Sequence, residues 1–388
     1  MLKLYFDYRD VFRAARLGLS PKKIWAMFVG LLCGFAAYGA LGYLAHLTAG
    51  RSLADTWAIF GLVPLPWNDF GPWAWLLWGL GALAGLVCYL LAAAVVAKIT
   101  AEQLSGNEFY ETGEGVAFLR QNWKAVLGGP AVIVLFAAGI LFCGAVLGWW
   151  GRIPVVGEWT VSLLAVPVFF VCLFLAFLFA ALAVGVFYAP AIVGASKSDT
   201  FDCLFETFSA MTSQPWRLVA YTALLKAVSF AGFAVFALFS LWALGIAHAV
   251  LGWAMGPTFA AIAAAAVVNY TPGWVMNAMI QLAGACGPCG MTLTAPELGW
   301  TGQVSAFIAG MSLNAVRLML ASYLAASFVA GQTIIYGIIV KKRDDRDIFV
   351  REEEKEAPPA ETACQPQPAE EKARRKAPAR GKAAKARK

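Results

Sequence analysis

Long apolar stretches that contain almost no Lys or Arg most restrict what this chain can fold into. A helix of about 20 apolar residues crosses the ~30 Å hydrocarbon core of a bilayer. Stretches of this length are found at 24–47, 73–97, 127–149, 160–186, 218–242 and 318–340. Hydrophobic residues make up 60% of the 388 residues and charged residues only 14%, so most of the chain belongs in lipid. The sequence predicts an all-α, polytopic transmembrane helix bundle with six spans.

The basic residues between these stretches predict the orientation in the membrane. One side carries Lys3, Arg9, Arg13, Arg16, Lys22, Lys23, Lys98, Arg120, Lys124, Lys197 and Arg217. The other side carries Arg51 and Arg152. By the positive-inside rule, we expect a multi-pass protein of the inner (cytoplasmic) cell membrane with a cytoplasmic N-terminus. Lys341 to Arg343 place the C-terminus there too, so the number of spans is even, and eight would also satisfy this condition.

A short motif with Trp before a basic residue recurs where outward spans begin. Residues 121–126 (Gln-Asn-Trp-Lys-Ala-Val) match residues 214–219 (Gln-Pro-Trp-Arg-Leu-Val), and residues 20–24 are a looser copy. The recurrence predicts three repeats, each a surface amphipathic helix followed by a transmembrane hairpin, with surface helices within 98–124 and 197–217. The alternative is that Trp beside Lys or Arg simply marks any cytoplasmic helix end.

The third unit departs from this pattern through an outer insertion at 243–317, whose only charged side chains are Glu297 and Arg317. The pieces 257–268 and 274–284 are too short to span. They are predicted to lie flat on the outer surface, and the alternative is a re-entrant hairpin.

Arg317, Asn314 and Asn269 are the candidate site residues of this insertion. A charge at mid-bilayer costs ~2.5–3.5 kcal/mol on insertion scales, so an intramembrane Arg suggests a functional site. At the interface, however, the long side chain of Arg317 can reach water and avoid most of that cost. The sequence leaves both open: an interfacial residue, or a site for an anion or a lipid headgroup.

Other polar clusters suggest no catalytic, cofactor or metal site. Cys286 and Cys289 form a Cys-x-x-Cys in the outer insertion without the strand–helix context of a redox motif. They are a disulfide, two free thiols or, least favoured, the reactive pair of a membrane-embedded redox enzyme. His46 and His248 are too few ligands for zinc, which needs four, or three plus water.

The last segment, 341–388, changes to an acidic, Pro-rich and then Ala/Lys-rich composition and is predicted to be a disordered cytoplasmic tail. Its basic end, 372–388, holds nine basic and no acidic residues. We expect it to bind anionic lipid, at ~1 kcal/mol per basic residue, or an acidic protein partner. Nucleic acid is the less favoured partner.

The repeated unit, such as Phe201 to Ser213 followed by Gln-Pro-Trp-Arg and a hairpin, resembles bacterial polytopic inner-membrane proteins of unknown function. These are similar to the membrane domain of glycerophosphodiester phosphodiesterases. The resemblance covers about 1–340 and implies a helical membrane domain. No phosphodiesterase catalytic domain follows in this sequence, so it implies no enzymatic activity.

The sequence therefore favours a non-enzymatic membrane scaffold or assembly factor, surrounded by the lipid bilayer. The alternative is a small permease or lipid-handling protein with a site at the outer insertion. Whether the chain forms a homo-oligomer is left open.

Overall fold

The computed structural model describes residues 4–272 and 296–350, which are helical and contain no strand. The helices in chain order are α1 (Tyr8–Val11), α2 (Arg13–Gly18), α3 (Pro21–Thr48), α4 (Leu53–Phe60), α5 (Pro72–Leu104), α6 (Thr112–Trp150), α7 (Val156–Leu163), α8 (Ala165–Ser196), α9 (Thr200–Ser213), α10 (Pro215–Met255), α11 (Pro257–Tyr270) and α12 (Trp300–Asp344). Six of them, α3, α5, α6, α8, α10 and α12, are long and apolar enough to cross a membrane. The predicted all-α polytopic bundle is confirmed.

The long helices pair as the hairpins α3–α5, α6–α8 and α10–α12. We call the end at which α3, α6 and α10 begin the basic end, and the opposite end the tryptophan-rich end. The main core lies toward the basic end, where residues 322–340 of α12 are largely buried against α2, α3, α5, α8, α9 and α10. Val126, Ile192 and Ile335 at this core are fully buried. The second half of α12 is therefore the axis of the bundle.

The third hairpin is longer than predicted. α10 continues to Met255, well beyond the expected end at 242, and α12 already begins at Trp300. The chain between 218 and 255 contains no proline, so α10 stops only at Gly256, which adopts a positive φ of 65° before Pro257. With 41 residues, α10 is about 60 Å long, more than the ~40–45 Å of a whole bilayer.

The path of α11 differs from the flat surface helix that the sequence favoured. Tyr270 at its end contacts Gly310 and Asn314 of α12, so α11 turns back and runs beside α12 toward the basic end. Part of the predicted outer insertion is therefore a third helix, α11, which packs against the hairpin of α10 and α12. The second predicted piece, 274–284, lies outside the described residues.

The surface helix predicted within 98–124 does not form a separate element in the described chain. Residues 98–104 complete α5, and residues 112–124 are the first turns of α6. Pro21 and Pro215 begin α3 and α10 and separate them from α2 and α9, because proline disfavours a helical residue before it. The corresponding position in the second unit is Asn122, which lets the helix continue.

Within 197–217, α9 forms as expected for an amphipathic helix. Cys203, Thr207 and Ala210 face the core, whereas Phe201 and Phe205 are exposed. Burial, with the nearby charge of Glu206 as a smaller cause, raises the pKa of the Cys203 thiol to about 12. This thiol therefore acts as an apolar core group.

Ionic contacts fasten the end of α12 to the basic end of the bundle. The Arg343 guanidinium donates two hydrogen bonds of 3.0 Å to the Glu206 carboxylate and one of 2.7 Å to the Ser209 hydroxyl. Lys342 donates to Asp7 at 3.0 Å. Phe349, only 5% exposed, packs against Gly337. The folded unit therefore extends to Phe349, past the boundary at 340 that the sequence suggested.

We expect Gly18→Ala to destabilise the protein. A Cβ at Gly18 would lie 2.4 Å from the Ser327 Cα, so α2 would have to move away from α12. Overpacking of this kind costs about 1–3 kcal/mol and should lower the thermal unfolding temperature of the purified protein. Gly39→Ala is the control because, among the described residues, no atom beyond the neighbouring turns of α3 lies within 4 Å of its added Cβ. Equal unfolding temperatures for the two variants would contradict this account of the α2–α12 contact.

Candidate functional site at the tryptophan-rich end

Arg317 and Asn314 of α12 hold the end of α11. The Asn314 side-chain amide donates to the Tyr270 carbonyl at 2.8 Å, and Arg317 donates to the Asn314 Oδ1 at 2.6 Å. A second Arg317 nitrogen donates to the Thr271 hydroxyl at 2.9 Å. Two of the three sequence-predicted site residues therefore form one hydrogen-bonded group.

This group supplies a hydrogen-bond donor to the C-terminal end of α11, which ends within the helix-breaking sequence at 269–273. The last carbonyls of a helix have no intrahelical donors and carry the negative end of the helix dipole. Asn314 supplies a donor to one of them, and Arg317 places a positive charge nearby. The contact is close because Gly310 leaves room for Tyr270, where a Cβ would come within 2.6 Å of the Tyr270 Cβ.

Aromatic rings surround the same helix end. The Tyr270 ring packs edge-on against Phe307 with centroids 5.4 Å apart, and Trp57 of α4 lies 6.4 Å away on another side. The α3–α5 hairpin, through α4, thus reaches the insertion of the third unit. Such a cluster fixes the backbone around Tyr270 and hence the position of Arg317.

Arg317 retains capacity to bind an anion. It is half-buried, and within residues 4–272 and 296–350 no carboxylate forms an ion pair with it. A guanidinium has five N–H donors, and the bonds to Asn314 and Thr271 use two of its nitrogens once each. The remaining donors suit a carboxylate or a phosphate. Both sequence-based interpretations of Arg317 are compatible with this geometry.

Asn269 lies on a neighbouring cavity of about 420 Å³ between α11 and α12. Its polar lining includes Glu297 and Gln303 besides Asn269. Tyr270 touches both this cavity and the Asn314 amide, so it separates Asn269 from the Arg317 group. Sequence reasoning missed the roles of Tyr270, Thr271 and Gln303. The helix-breaking sequence at 269–273 was the available signal, because a helix end needs donors for its carbonyls.

The remaining candidates lie elsewhere. His46 contacts the Leu65 carbonyl through Nε2 at 3.0 Å and packs against the rings of Phe60 and Phe70, whereas His248 packs against Phe259. In the described parts of the chain, no three His, Cys, Asp or Glu side chains are grouped as metal ligands. Cys286 and Cys289 lie outside the described residues.

Comparison with known proteins adds no further assignment. No family model, curated protein or solved structure matches the chain. The function must therefore be argued from the helices and their side chains.

Replacement of Asn314 by Ala should release the end of α11. The variant loses both the donor to Tyr270 and the acceptor of Arg317, so amide hydrogen exchange in peptides covering 262–272 should become faster, by several-fold. Ser312→Ala is the matched control, since the one hydrogen bond of the Ser312 hydroxyl within the described residues is to Ile308 of its own helix. If both variants exchange like the unchanged protein, Asn314 does not hold α11 in place.

Proposed function

We propose that this multi-pass membrane protein is a non-enzymatic scaffold or assembly factor of the inner membrane, with both termini in the cytoplasm. The observation that carries the proposal is the unequal packing of the spanning helices. In the most apolar 18-residue window, 83% of residues are buried in α12 but none in α10. A closely packed base thus supports helices whose apolar faces contact few of the described residues.

The exposed faces are rich in large side chains. Exposed Phe residues on α6, α8 and α10 are Phe136, Phe142, Phe169, Phe170, Phe174, Phe179, Phe187, Phe230 and Phe239. In a bilayer such faces contact lipid or helices of another protein, and association there depends on shape and close packing. This supports docking of partner membrane helices.

Photo-crosslinking in native membranes tests the scaffold role. A photoreactive residue at Phe170 or Leu238, both more than half exposed, should give protein adducts of defined mass. The same residue at Ile335, which is buried, should give none and controls for nonspecific capture. Adducts with lipid alone at both exposed positions would contradict the scaffold role.

A lipid-handling role is the second candidate, favoured by the spare donors of Arg317 beside a polar cavity. A headgroup phosphate could approach Arg317, while Asn269 and Gln303 of the cavity offer further hydrogen-bonding groups. In this function the outer insertion, rather than the exposed helix faces, would bind the ligand.

A cysteine at Asn269 tests both the orientation and this second role. With the eight native cysteines replaced by serine, a membrane-impermeant maleimide added to intact spheroplasts should label Asn269→Cys but should label Gln121→Cys, at the basic end, only after lysis. The reverse pattern would contradict the proposed orientation. Protection of the Asn269→Cys thiol in nanodiscs by added anionic phospholipid, and not by zwitterionic phospholipid, would support lipid handling. Equal labelling in both lipids would argue against it.

The basic segment 372–388 lies outside the described residues. Its binding to anionic lipid or an acidic protein is a proposal that rests on composition, as does the resemblance to the membrane domain of glycerophosphodiester phosphodiesterases.

A further inference from the structure

A second concave surface lies between α10 and α12, away from the Arg317 group. It is a crevice of about 500 Å³ lined mainly by Lys226, Phe230, Ala321, Leu324, Ala325 and Phe328. The volume is within the roughly 300–1,000 Å³ of typical ligand pockets. Among the described residues, its polar lining consists of Lys226 and Ser229.

Lys226 is a cation without a counterion in the described part of the chain. Its side chain is exposed, and no hydrogen bond or ion pair to it is found among residues 4–272 and 296–350. Two other cations toward this end do have carboxylate partners: Lys98 pairs with Glu102 and Arg343 with Glu206. An unpaired ammonium on an apolar surface is complementary to an anion.

Contacts with α2 indicate the depth of this lysine. Ser229, one turn beyond Lys226, bonds to Ser327 at 3.1 Å, and Ser327 touches Gly18 at the end of α2. The N-terminal helices have a buried face with Val11 and Ala14 and an exposed face with Tyr8, Phe12, Arg16 and Leu19. Aromatic and basic side chains on one face are typical of a helix at the headgroup level. Lys226 therefore lies about one helical turn, ~5 Å, from this contact with α2 toward the basic end.

The crevice has the polarity of a phospholipid. Side chains of a helix tilt toward its N-terminus, so Lys226 tilts toward the basic end. Phe230, Ala321 and Ala325 lie on the opposite side, toward the bilayer interior. A phosphate at Lys226 would therefore leave an acyl chain along the apolar part.

The small residues of α12 make the surface concave. Ala321 and Ala325 face α10 where larger side chains would fill the space. The neighbouring Phe328 is supported by Phe187 of α8, with ring centroids 6.1 Å apart. A lysine that only reached toward water would need no such crevice beside it.

We propose that the crevice between α10 and α12 binds one anionic phospholipid from the leaflet at the basic end, with its phosphate at Lys226 and an acyl chain against Ala321 and Ala325. The site requires that the bundle spans a membrane but does not depend on the scaffold role or on Arg317.

Native mass spectrometry of the full-length protein tests this site. Protein reconstituted in phosphatidylglycerol and phosphatidylethanolamine should retain one phosphatidylglycerol on release from detergent. Lys226→Gln should reduce that retained species at least fivefold, and Lys226→Arg should restore it. Lys124→Gln is the charge control, because Lys124 is exposed at the basic end of α6, outside the crevice. An equal loss in the Lys124 variant would mean general charge attraction and would overturn the proposal.

A second variant tests the acyl-chain part. Ala325→Phe fills the crevice and leaves Lys226 unchanged, so it should also remove the retained lipid. Val235→Phe adds the same side chain to an exposed position outside the crevice and should not. Retention of phosphatidylglycerol by Ala325→Phe, or of phosphatidylethanolamine to the same extent by the unchanged protein, would overturn the proposal.

Photo-crosslinking keeps the test decisive if Ala325→Phe does not fold. A photoreactive residue at Phe230 should form adducts with phosphatidylglycerol that Lys226→Gln abolishes. Adducts that persist unchanged in that variant would rule out a phosphate at Lys226. Loss of this lipid would leave the protein adducts from Phe170 intact, so the site and the scaffold role can fail separately.

Discussion

Close packing around the second half of α12 is the constraint on which the rest of the structure depends. Helices in lipid gain no hydrophobic driving force from association, so they need close van der Waals contact and interhelical hydrogen bonds. Here Gly18 brings α2 onto Ser327, and Gly194 of α8 approaches the backbone of α5 at Ala97. The bond between Ser327 and Ser229 then joins α12 to α10. The basic end is therefore the closely packed part of the bundle, and the long helices extend from it.

Three cations along α10 and α12 illustrate how position decides the role of a charge. Arg343 lies at the basic end and is neutralised by Glu206, so it holds the base together. Arg317 lies toward the other end, where it supports the terminus of α11 and keeps spare donors. Lys226 lies between them on an apolar surface without a counterion in the described chain. The first is structural, whereas the other two have no carboxylate partner in the described chain.

The contrast between the base and the exposed helices links the fold to the proposed functions. α10 has only Leu218, Leu225 and Ser229 buried along its whole length. Many of its other side chains, such as Leu238, Phe239 and Trp242, are exposed and can contact lipid or another membrane protein. The scaffold role uses this surface for a protein partner, and the Lys226 crevice uses a small part of it for a phospholipid.

The sequence alone determined the helical class and the six spanning segments, because a run of apolar residues and the bilayer thickness are sufficient to define a span. It also identified α9, whose polar and apolar residues alternate with helical period, and it singled out Arg317 as an uncommon charge. The sequence-based prediction was wrong about the lengths of α10 and α6. Both helices continue past the boundaries that it expected, because a helix continues until a proline or a glycine stops it and neither does so there.

Only the tertiary structure decided which polar groups meet. Asn314 and Tyr270 are 44 residues apart and Arg317 and Thr271 are 46 apart. No periodicity connects residues at such separations, since their contact depends on α11 folding back beside α12. The crevice at Lys226 is likewise a property of two helices that meet at Ser229 and Ser327. The sequence determined which segments enter the membrane because that depends on local hydrophobicity, whereas the sites depend on packing between distant segments.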